Sequence, residues 1–355
     1  MRIAVLQSFL PSRSQGGVGH FADQLASRLV ERGHQVTVFS LDPAPAGAAY
    51  GVVQPGPDVR LVKGRLGRTY GFGVWLARQD LSGYDVVHAM GDNHLLRTRT
   101  PVVRTLHGSA LGEAIHAPRL VTKAFFASIY PLEILGVARA TRTAAISRGS
   151  IKHFPFLRAE TIPNAVADAF FRPGKKRSEA PSILFVGHRL RDRKRGFLLV
   201  DAFRRVIKPA LPEAELWLVC DDSLDGAGVR CFANLDIESL AGLYRRAWVF
   251  CLPSSYEGFG RPYVEAMASG TPVVTTPNPG ALEVLGGGRY GVITPASRLG
   301  EELLSLLVDR DRREEIAAKG LVRAQDFRWD TVVAQYEALY DQVVDGRRAR
   351  GSDAS

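Results

Sequence analysis

The chain has 355 residues, of which 46% are hydrophobic and 23% charged, the composition of an ordinary soluble globular protein long enough for two domains. It has no run of eighteen uncharged apolar residues that would span a membrane, and its first apolar run is too short for a signal peptide. The net charge of +10 fits phosphate-bearing ligands or an anionic membrane surface, but the basic stripe with interleaved aromatics expected for nucleic-acid binding is absent.

Apolar, strand-like runs alternate with amphipathic segments along the chain, which predicts parallel α/β domains. In the first half the runs predict strands at residues 2–8, 35–41, 84–90, 102–106 and 144–147, the last of which ends the sheet. Phe21, Leu25 and Leu29 recur every four residues and predict a helix that ends before Gly33. Residues 43–58, rich in Pro, Gly and Ala, are interpreted as a variable loop.

A polar, basic and proline-flanked stretch at residues 162–166 and 173–181 is interpreted as a linker. A second α/β domain restarts with the apolar run 183–187. The predicted organisation is a first domain over residues 1–170, a second over 182–328, a terminal helix over 329–345 and a disordered tail over 346–355. Two Rossmann-like halves imply a central cleft, where ligands of such sheets bind.

Glu257 and Glu265 lie on either side of a Gly-Phe-Gly turn that follows an apolar strand. A glycine loop and a helix N-terminus direct backbone N–H groups at one point, which suits an anion. A carboxylate beside that point would face hydroxyl groups, because two anions would repel each other. Hydroxyls and phosphate on one ligand indicate a nucleotide sugar.

The run His-Arg-Leu-Arg-Asp-Arg-Lys-Arg-Gly follows the first strand of the second half. Several cations at the end of a strand suit a diphosphate, although a charge run is more commonly a solvated loop. Arg189 and Lys194 are the first choices for the inward-facing cations, with Arg195 close behind.

In the first half, Gly16 and Gly17 follow strand one and open a helix, which is either a phosphate-binding turn or a plain tight turn. His107 closes a strand and is followed by glycine. It is either a structural histidine or a partner for a sugar hydroxyl or for acid–base chemistry. In the second half, Phe232 lies in a loop that could hold a nucleotide base.

Two further patterns weigh against a metal site. Asp309 and Asp311 have the spacing of a metal-binding dyad, but their position between two helical stretches predicts a helix cap. The three cysteines lack metal-ligand spacing and are interpreted as free thiols in a reducing cytosol.

Taken in order, these segments resemble the retaining family-4 glycosyltransferases with the GT-B fold. The landmarks are the early Gly-Gly, His107-Gly, Ala-Ile-Ser147, Ile-Pro-Asn164, the basic loop and the glutamate segment. The resemblance covers nearly the whole chain and implies that the helix 329–345 crosses back to the first domain. It also implies a nucleoside-diphosphate sugar as donor, no metal and no other cofactor.

The resemblance assigns a role to each candidate. Glu265 would bind the ribose, and Glu257 and His107 would lie near the donor sugar. Arg189 and Lys194 would neutralise the leaving diphosphate, over which the paired glycines would close. The backbone N–H groups that would contact the sugar or its diphosphate belong to Gly258, Phe259 and Gly260.

The sequence therefore predicts metal-independent transfer of a sugar from a UDP- or GDP-linked donor to an acceptor hydroxyl, with retention at the anomeric carbon. A nicotinamide-dependent oxidoreductase or epimerase and a non-catalytic nucleotide-sugar-binding module are the alternatives. The location is the cytoplasm, with a peripheral contact at the inner membrane face allowed by the basic surplus. The acceptor, a small molecule, glycan or lipid, would bind the first domain, where a group of aromatics forms either an apolar pocket or core: Tyr70, Phe72, Trp75, Phe125, Phe126 and Tyr130.

Overall fold

The computed structural model describes residues 1–11, 17–56, 70–117, 119–174 and 176–352. The chain divides into two compact units. The first comprises Met1–Pro163 together with the chain from Val332 on, and the second comprises Asn164–Thr331.

The first unit is built on a parallel sheet of seven strands in the order β3-β2-β1-β4-β5-β6-β7. The strands are β1 (Arg2–Leu6), β2 (Gln35–Phe39), β3 (Gly51–Val53), β4 (Val86–Ala89), β5 (Val102–Leu106), β6 (Arg142–Ala145) and β7 (Glu160–Thr161). The central strands β4 and β5 are buried along their whole length, whereas the edge strands β3 and β7 are exposed or half-buried. Burial of the central strands along their whole length is what a parallel sheet covered on both faces requires.

The helices of the first unit are α1 (Gly17–Glu31), α2 (Phe72–Leu76), α3 (Ala110–His116) and α4 (Leu120–Ala138). Phe21, Leu25 and Leu29 of α1 are buried, as the four-residue spacing predicts. Phe72 and Trp75 are buried in the core beside Phe39, so these two aromatics are core residues and do not line a pocket.

The second unit has a parallel sheet of six strands in the order β10-β9-β8-β11-β12-β13. The strands are β8 (Ser182–Val186), β9 (Glu215–Val219), β10 (Val229–Phe232), β11 (Val249–Leu252), β12 (Val273–Thr275) and β13 (Val292–Ile293). The chain leaves β8 in one direction through β9 and β10, and then starts again on the other side at β11. The boundary between β8 and β11 is therefore the topological switch point, where open parallel sheets bind ligands at the carboxyl ends of their strands.

The helices of the second unit alternate with its strands. They are α5 (Gly196–Ala202), which continues through a π-helical turn (Phe203–Ile207) into the short α6 (Lys208–Ala210), then α7 (Ile237–Arg246), α8 (Arg261–Ala268), α9 (Pro279–Val284), α10 (Leu299–Val308) and α11 (Arg310–Ala324). Asp309 caps α11 by accepting a hydrogen bond from the Arg312 N–H, which confirms the predicted helix cap.

The terminal helix α12 (Trp329–Ser352) begins in the second unit and continues in the first. Its residues Tyr336 and Tyr340 are fully buried against the first unit's sheet. The Tyr340 hydroxyl lies 2.6 Å from Nδ1 of His88, and Nε2 of that histidine lies 2.7 Å from Oγ1 of Thr105. The crossing-back of the terminal helix is thus confirmed, and the contact is polar at its centre.

Four predictions about the chain's organisation are wrong. The loop 43–58 contains β3, and the sheet ends at β7 beyond the predicted last strand. The tail from Gly346 continues α12 as far as Ser352, supported by an Arg348–Asp345 ion pair one turn apart. Residues 164–170, predicted in the first domain, belong to the second unit.

The predicted linker is also held firmly in place. The guanidinium of Arg177 donates to the backbone carbonyls of Arg245 and Ala247 and to Oγ1 of Thr271, at 2.7–3.0 Å. Between the two predicted linker stretches, Phe170 packs edge-on against Tyr244. A polar and basic composition predicted a spacer here, but these side chains bond back to the second unit.

Candidate functional site in the second unit

Two loops at the switch point of the six-stranded sheet carry most of the predicted site residues. The first follows β8 and spans residues 187–195, and the second follows β11 and spans residues 253–260. Because β8 and β11 are parallel neighbours, both loops emerge at the same edge of the sheet. The cations of the first loop and Glu257 of the second therefore lie at the same edge, and Glu265 follows in the helix α8.

The loop after β8, called the basic loop here, is shaped by two aspartates. Asp192 accepts hydrogen bonds from the N–H groups of Lys194 (2.7 Å) and Arg189 (3.3 Å), and Asp222 accepts one from Leu190 (2.6 Å). The Arg189 side chain is exposed and makes no hydrogen bond or ion pair among the described residues. Lys194 is half-buried and directs Nζ to the Val186 carbonyl at 3.1 Å, at the carboxyl end of β8.

Arg195 joins the basic loop to its neighbours. Its guanidinium donates to the carbonyls of Pro253 (2.8 Å) and Ser254 (3.3 Å) and to Oγ1 of Thr276 (2.7 Å). Its backbone has φ +50°, a left-handed conformation unusual for a residue with a side chain. Arg195 therefore braces the loops after β8, β11 and β12, with its positive charge already shared among three oxygens.

Glu257 is buried, with 6% of its surface exposed. Its Oε1 accepts a hydrogen bond of 2.7 Å from Oγ of Ser254, and its Oε2 lies 3.8 Å from the guanidinium of Arg193. The carbonyl of Arg193 in turn accepts hydrogen bonds from both N–H (2.9 Å) and Oγ (3.0 Å) of Ser255. The carboxylate is thus fixed beside a cation of the basic loop.

Glu265 lies in α8 and is also buried, at 8% exposure. The hydroxyl of Tyr244 donates to its Oε2 at 3.1 Å, and Arg261 approaches its Oε1 at 3.9 Å. Burial, with the nearby carboxylate adding to it, raises the pKa of Tyr244 well above its usual value, so the phenol remains a donor. Nε of Arg261 is buried and has no hydrogen-bond partner among the described residues.

The Gly-Phe-Gly turn between the glutamates has a specific conformation. Gly260 caps α8 with φ +89°, and a Cβ there would come 2.4 Å from the Tyr263 ring, so glycine is required. A Cβ on Gly258, by contrast, would meet nothing within 4 Å. The Phe259 side chain is buried edge-on against Phe327, which leaves only its backbone for a ligand.

The loop after β12 supports this turn from behind. Gly280 donates its N–H to the Glu257 carbonyl (2.9 Å), and a Cβ there would come 2.6 Å from the Phe259 carbonyl. Asn278 caps α9 and donates through Nδ2 to the Tyr263 hydroxyl at 3.0 Å. No local pattern reveals the contacts of these residues with the turn, because their partners there lie more than a dozen positions away.

Phe232 stands apart from the switch point. The prediction that it lies in a loop is wrong, because it ends the strand β10. This strand is separated from β8 by β9 and is therefore about 10 Å away along the sheet. Its ring is half-buried and lies edge-on to Trp217 at 6.4 Å. Its carbonyl accepts a hydrogen bond from the N–H of Cys220.

The two predicted site residues of the first unit that the structure describes lie at the carboxyl edge of its own sheet. Gly17 opens α1 after β1, and His107 follows β5; Gly16 lies outside the described residues. The His107 ring packs edge-on against Phe21 of α1 at 5.1 Å. Burial, with the Arg104 charge adding to it, lowers the pKa of His107 to about 4, so the imidazole is neutral at physiological pH and has one hydrogen-bond donor and one acceptor.

Among the described residues, no group of three or more His, Cys, Asp or Glu side chains is placed to hold a metal ion. Cys220, Cys231 and Cys251 are all free thiols.

Two glycosyltransferase family models match the two halves of the chain. The family model "Glycosyltransferase Family 4" matches residues 15–169, and the model "Glycosyl transferases group 1" matches residues 180–309. The chain is 28% identical to D-inositol 3-phosphate glycosyltransferase 1 of Catenulispora acidiphila, covering 94% of this chain and 93% of the relative. It is also 28% identical to the phosphatidyl-myo-inositol mannosyltransferase of Mycobacterium tuberculosis, covering 92% and 93%.

The fold is similar to that of several solved structures. One is the Anabaena protein HepE in complex with UDP-glucose, with a TM-score of 0.71 at 18% identity, covering 96% of this chain and 100% of that one. At that identity the similarity concerns the fold alone.

Proposed function

Because the chain belongs to the family-4 glycosyltransferases and has the GT-B fold, we propose that it transfers a hexosyl group from a UDP- or GDP-linked donor to an acceptor hydroxyl, with retention at the anomeric carbon. The observation that carries the proposal is the convergence of two buried glutamates and a basic loop on the switch point between β8 and β11.

The donor-binding part of the proposal rests on the chemistry of the second unit. Glu265, held by Tyr244, accepts hydrogen bonds from the ribose hydroxyls. Glu257, held by Ser254, accepts them from the sugar. The Gly258–Gly260 turn and the Arg261 N–H that begins α8 are assigned to the diphosphate; Pro262 has no N–H, and that of Tyr263 donates to the Gly260 carbonyl at 3.0 Å.

Departure of the diphosphate builds negative charge in the transition state, and cations fixed beforehand stabilise that charge. Arg189 is exposed without a described partner, and Lys194 lies at the end of β8, so both are assigned to the diphosphate. Arg193 joins them, since it sits 3.8 Å from Glu257 with more than half of its side chain exposed. Arg195 holds the loops together.

We propose that these cations replace a divalent metal and that the leaving phosphate helps to deprotonate the acceptor on the same face of the sugar. Neutral His107 donates or accepts a hydrogen bond at the donor sugar. The cytoplasm is the proposed location, which the three free thiols fit. Phe232 is proposed to contact the nucleotide base at the edge of the donor site.

The acceptor is proposed to be a polyol or a lipid-linked polyol. The named relatives act on inositol 3-phosphate and on phosphatidyl-myo-inositol, and they align with this chain over more than 90% of its length. The partly exposed aromatics of α4, Phe125, Phe126 and Tyr130, remain available to an acceptor in the first unit, unlike the buried Phe72 and Trp75.

The proposal is tested by screening UDP- and GDP-sugars for protein stabilisation and then for release of the nucleoside diphosphate with inositol-containing acceptors. Release should need both substrates and persist in EDTA, and NMR should show the donor's anomeric configuration in the product. Stabilisation without release in any acceptor would support a binding module. Loss of activity in EDTA, or an inverted product, would overturn the metal-free or retaining part alone.

A further inference from the structure

Exposed apolar side chains are concentrated in one short part of the first unit. Ten large hydrophobic residues are exposed in the described chain, and half of them fall between residues 115 and 156. Leu120 and Val121 are 81% and 82% exposed, more than any of the others. Scattered single exposures are ordinary, but clustering of this kind marks a contact surface.

The helix α4 carries the centre of this cluster. It has 19 residues and is long and apolar enough to cross a membrane by length and composition alone, yet only Gly136 and Val137 are buried. Its C-terminal half is fastened to the unit, since Asn93 donates to the Gly136 carbonyl and Glu133 accepts from the Ala110 N–H, both at 2.8 Å. A helix so attached cannot leave the unit to span a bilayer, but it can lie on one.

A second segment carries another exposed apolar side chain near α4. Tyr130 of α4 packs on Phe154 at 5.5 Å, and Phe154 packs on Phe156 at 6.3 Å. Phe154 is fully buried, whereas Phe156 is 63% exposed. Phe156 therefore stands beside α4, held in place by the buried ring behind it.

The surroundings of these residues are basic. The segment 113–160 contains seven Lys or Arg and three Glu. One of those acids, Glu133, is turned inward to the Ala110 N–H. Four of the cations are exposed and form no ion pair within the described ranges: Arg119, Lys123, Lys152 and Arg158.

The direction of α4 places this surface at the functional edge. Its C-terminal end leads into the start of β6. The N-terminal end, at Leu120, therefore lies towards the edge at which β5 ends and His107 follows. The helix is about 28 Å long, whereas a five-residue strand is about 17 Å, so the exposed end extends to that edge or beyond it.

We propose that Ile115, Leu120, Val121 and Phe156, flanked by the four cations, form a docking surface that rests on an anionic lipid bilayer. In peripheral membrane helices, apolar side chains enter the membrane interface and the flanking cations contact the lipid phosphates. A second copy of this chain is a poorer occupant, because a symmetric contact would set these cations against each other. The inference does not depend on the proposed transfer reaction, and it would place the acceptor site at a lipid surface.

The test is sedimentation of the full chain with vesicles of phosphatidylcholine alone and of phosphatidylcholine with an equal part of phosphatidylglycerol, without any nucleotide sugar. We expect binding to the anionic vesicles only, weakening as salt is raised. Leu120→Glu with Val121→Glu should weaken it at least about ten-fold, and each of Arg119→Gln and Lys123→Gln about five-fold. The matched control is Val308→Glu with Val322→Glu, at residues 66% and 73% exposed in the second unit, which should bind as the wild type does.

All changed residues are exposed, so thermal unfolding should stay near the wild-type value and exclude misfolding. No binding to anionic vesicles, or equal loss in the control pair, would overturn the proposal. Light scattering that shows a wild-type dimer converted to a monomer by the Leu120 and Val121 changes would assign the surface to a second copy instead. Nucleotide release from soluble acceptors is measured separately, so failure here leaves the proposed reaction standing.

Discussion

The hydroxyl of Tyr244 donates a hydrogen bond of 3.1 Å to Oε2 of Glu265, and both side chains are buried. The two residues lie on different helices, α7 and α8, 21 positions apart. If Glu265 binds the ribose, Tyr244 is the group that holds it in position.

Tyr244→Phe should therefore raise the KM for the donor several-fold while kcat changes little, because a ribose contact acts equally in the ground state and the transition state. It should also cost about 1–2 kcal/mol of stability through the lost hydrogen bond. Tyr340→Phe is the control, since it removes a buried hydroxyl bonded to His88 in the other unit. Steady-state kinetics with equal KM values for the two variants would contradict the role of Tyr244.

Glu257→Gln should lower kcat/KM for the donor by about two orders of magnitude, or about 2.7 kcal/mol of transition-state stabilisation. The amide oxygen can still accept from Ser254, so the fold is kept and only the charge beside Arg193 is lost. Glu301→Gln, an exposed glutamate of α10, should leave the kinetics unchanged. A Glu257→Gln enzyme with wild-type kcat/KM would remove this residue from the site.

Substitution of Arg189 and of Arg195 should show that the first is a functional cation and the second a structural one. Arg195→Met breaks hydrogen bonds to three residues and should lower stability by about 2–4 kcal/mol. Arg189→Met removes an exposed side chain and should change stability by less than about 0.5 kcal/mol while slowing nucleotide release. Urea unfolding and single-turnover kinetics on both variants give the comparison, and the reverse pattern would exchange the two roles.

The stability of the protein should fall as the pH drops from 6.5 to 5. Burial lowers the pKa of His107 to about 4 and that of His88 to about 3, so the unfolded chain binds two protons that the folded chain excludes. Near pH 5 these two histidines contribute a slope of about 2.5 kcal/mol per pH unit, and above about pH 8 they contribute almost none.

The measurement is the free energy of urea unfolding at several pH values in that window. His88→Asn should lower the slope near pH 5 by about 1.4 kcal/mol per pH unit, whatever its effect on absolute stability. An unchanged slope in that variant would show that His88 is accessible to protons in the folded state.

Much of the fold follows from local patterns. The strands β1, β4, β5, β8 and β11 are mostly apolar and almost wholly buried, and such runs can be predicted from the sequence because both faces of the sheet are covered. The strands β3 and β7 were missed because they are short, exposed edge strands whose side chains need not be apolar. The helical end of α12 was missed because small and basic residues indicated disorder.

The sequence predicts where the site lies, but it does not predict the contacts between the side chains that form it. The spacing of Glu257 and Glu265 around a glycine turn is local, and so is the basic run after β8. The brace formed by Arg195 depends on oxygens 58 to 81 positions away, which no local pattern reveals. The same holds for the docking surface, where exposure of Leu120 and Val121 can be seen only once the unit is folded.

The most direct test of the central claim is calorimetric titration of UDP and GDP into the wild-type protein and into Glu265→Gln. We expect saturable one-to-one binding of at least one nucleotide to the wild type and at least about ten-fold weaker binding to the variant, because the amide has no charge and one acceptor oxygen in place of two, so that one ribose hydroxyl loses its acceptor. No binding of either nucleotide, or equal affinity in the two proteins, would contradict a donor site at the carboxyl edge of the six-stranded sheet.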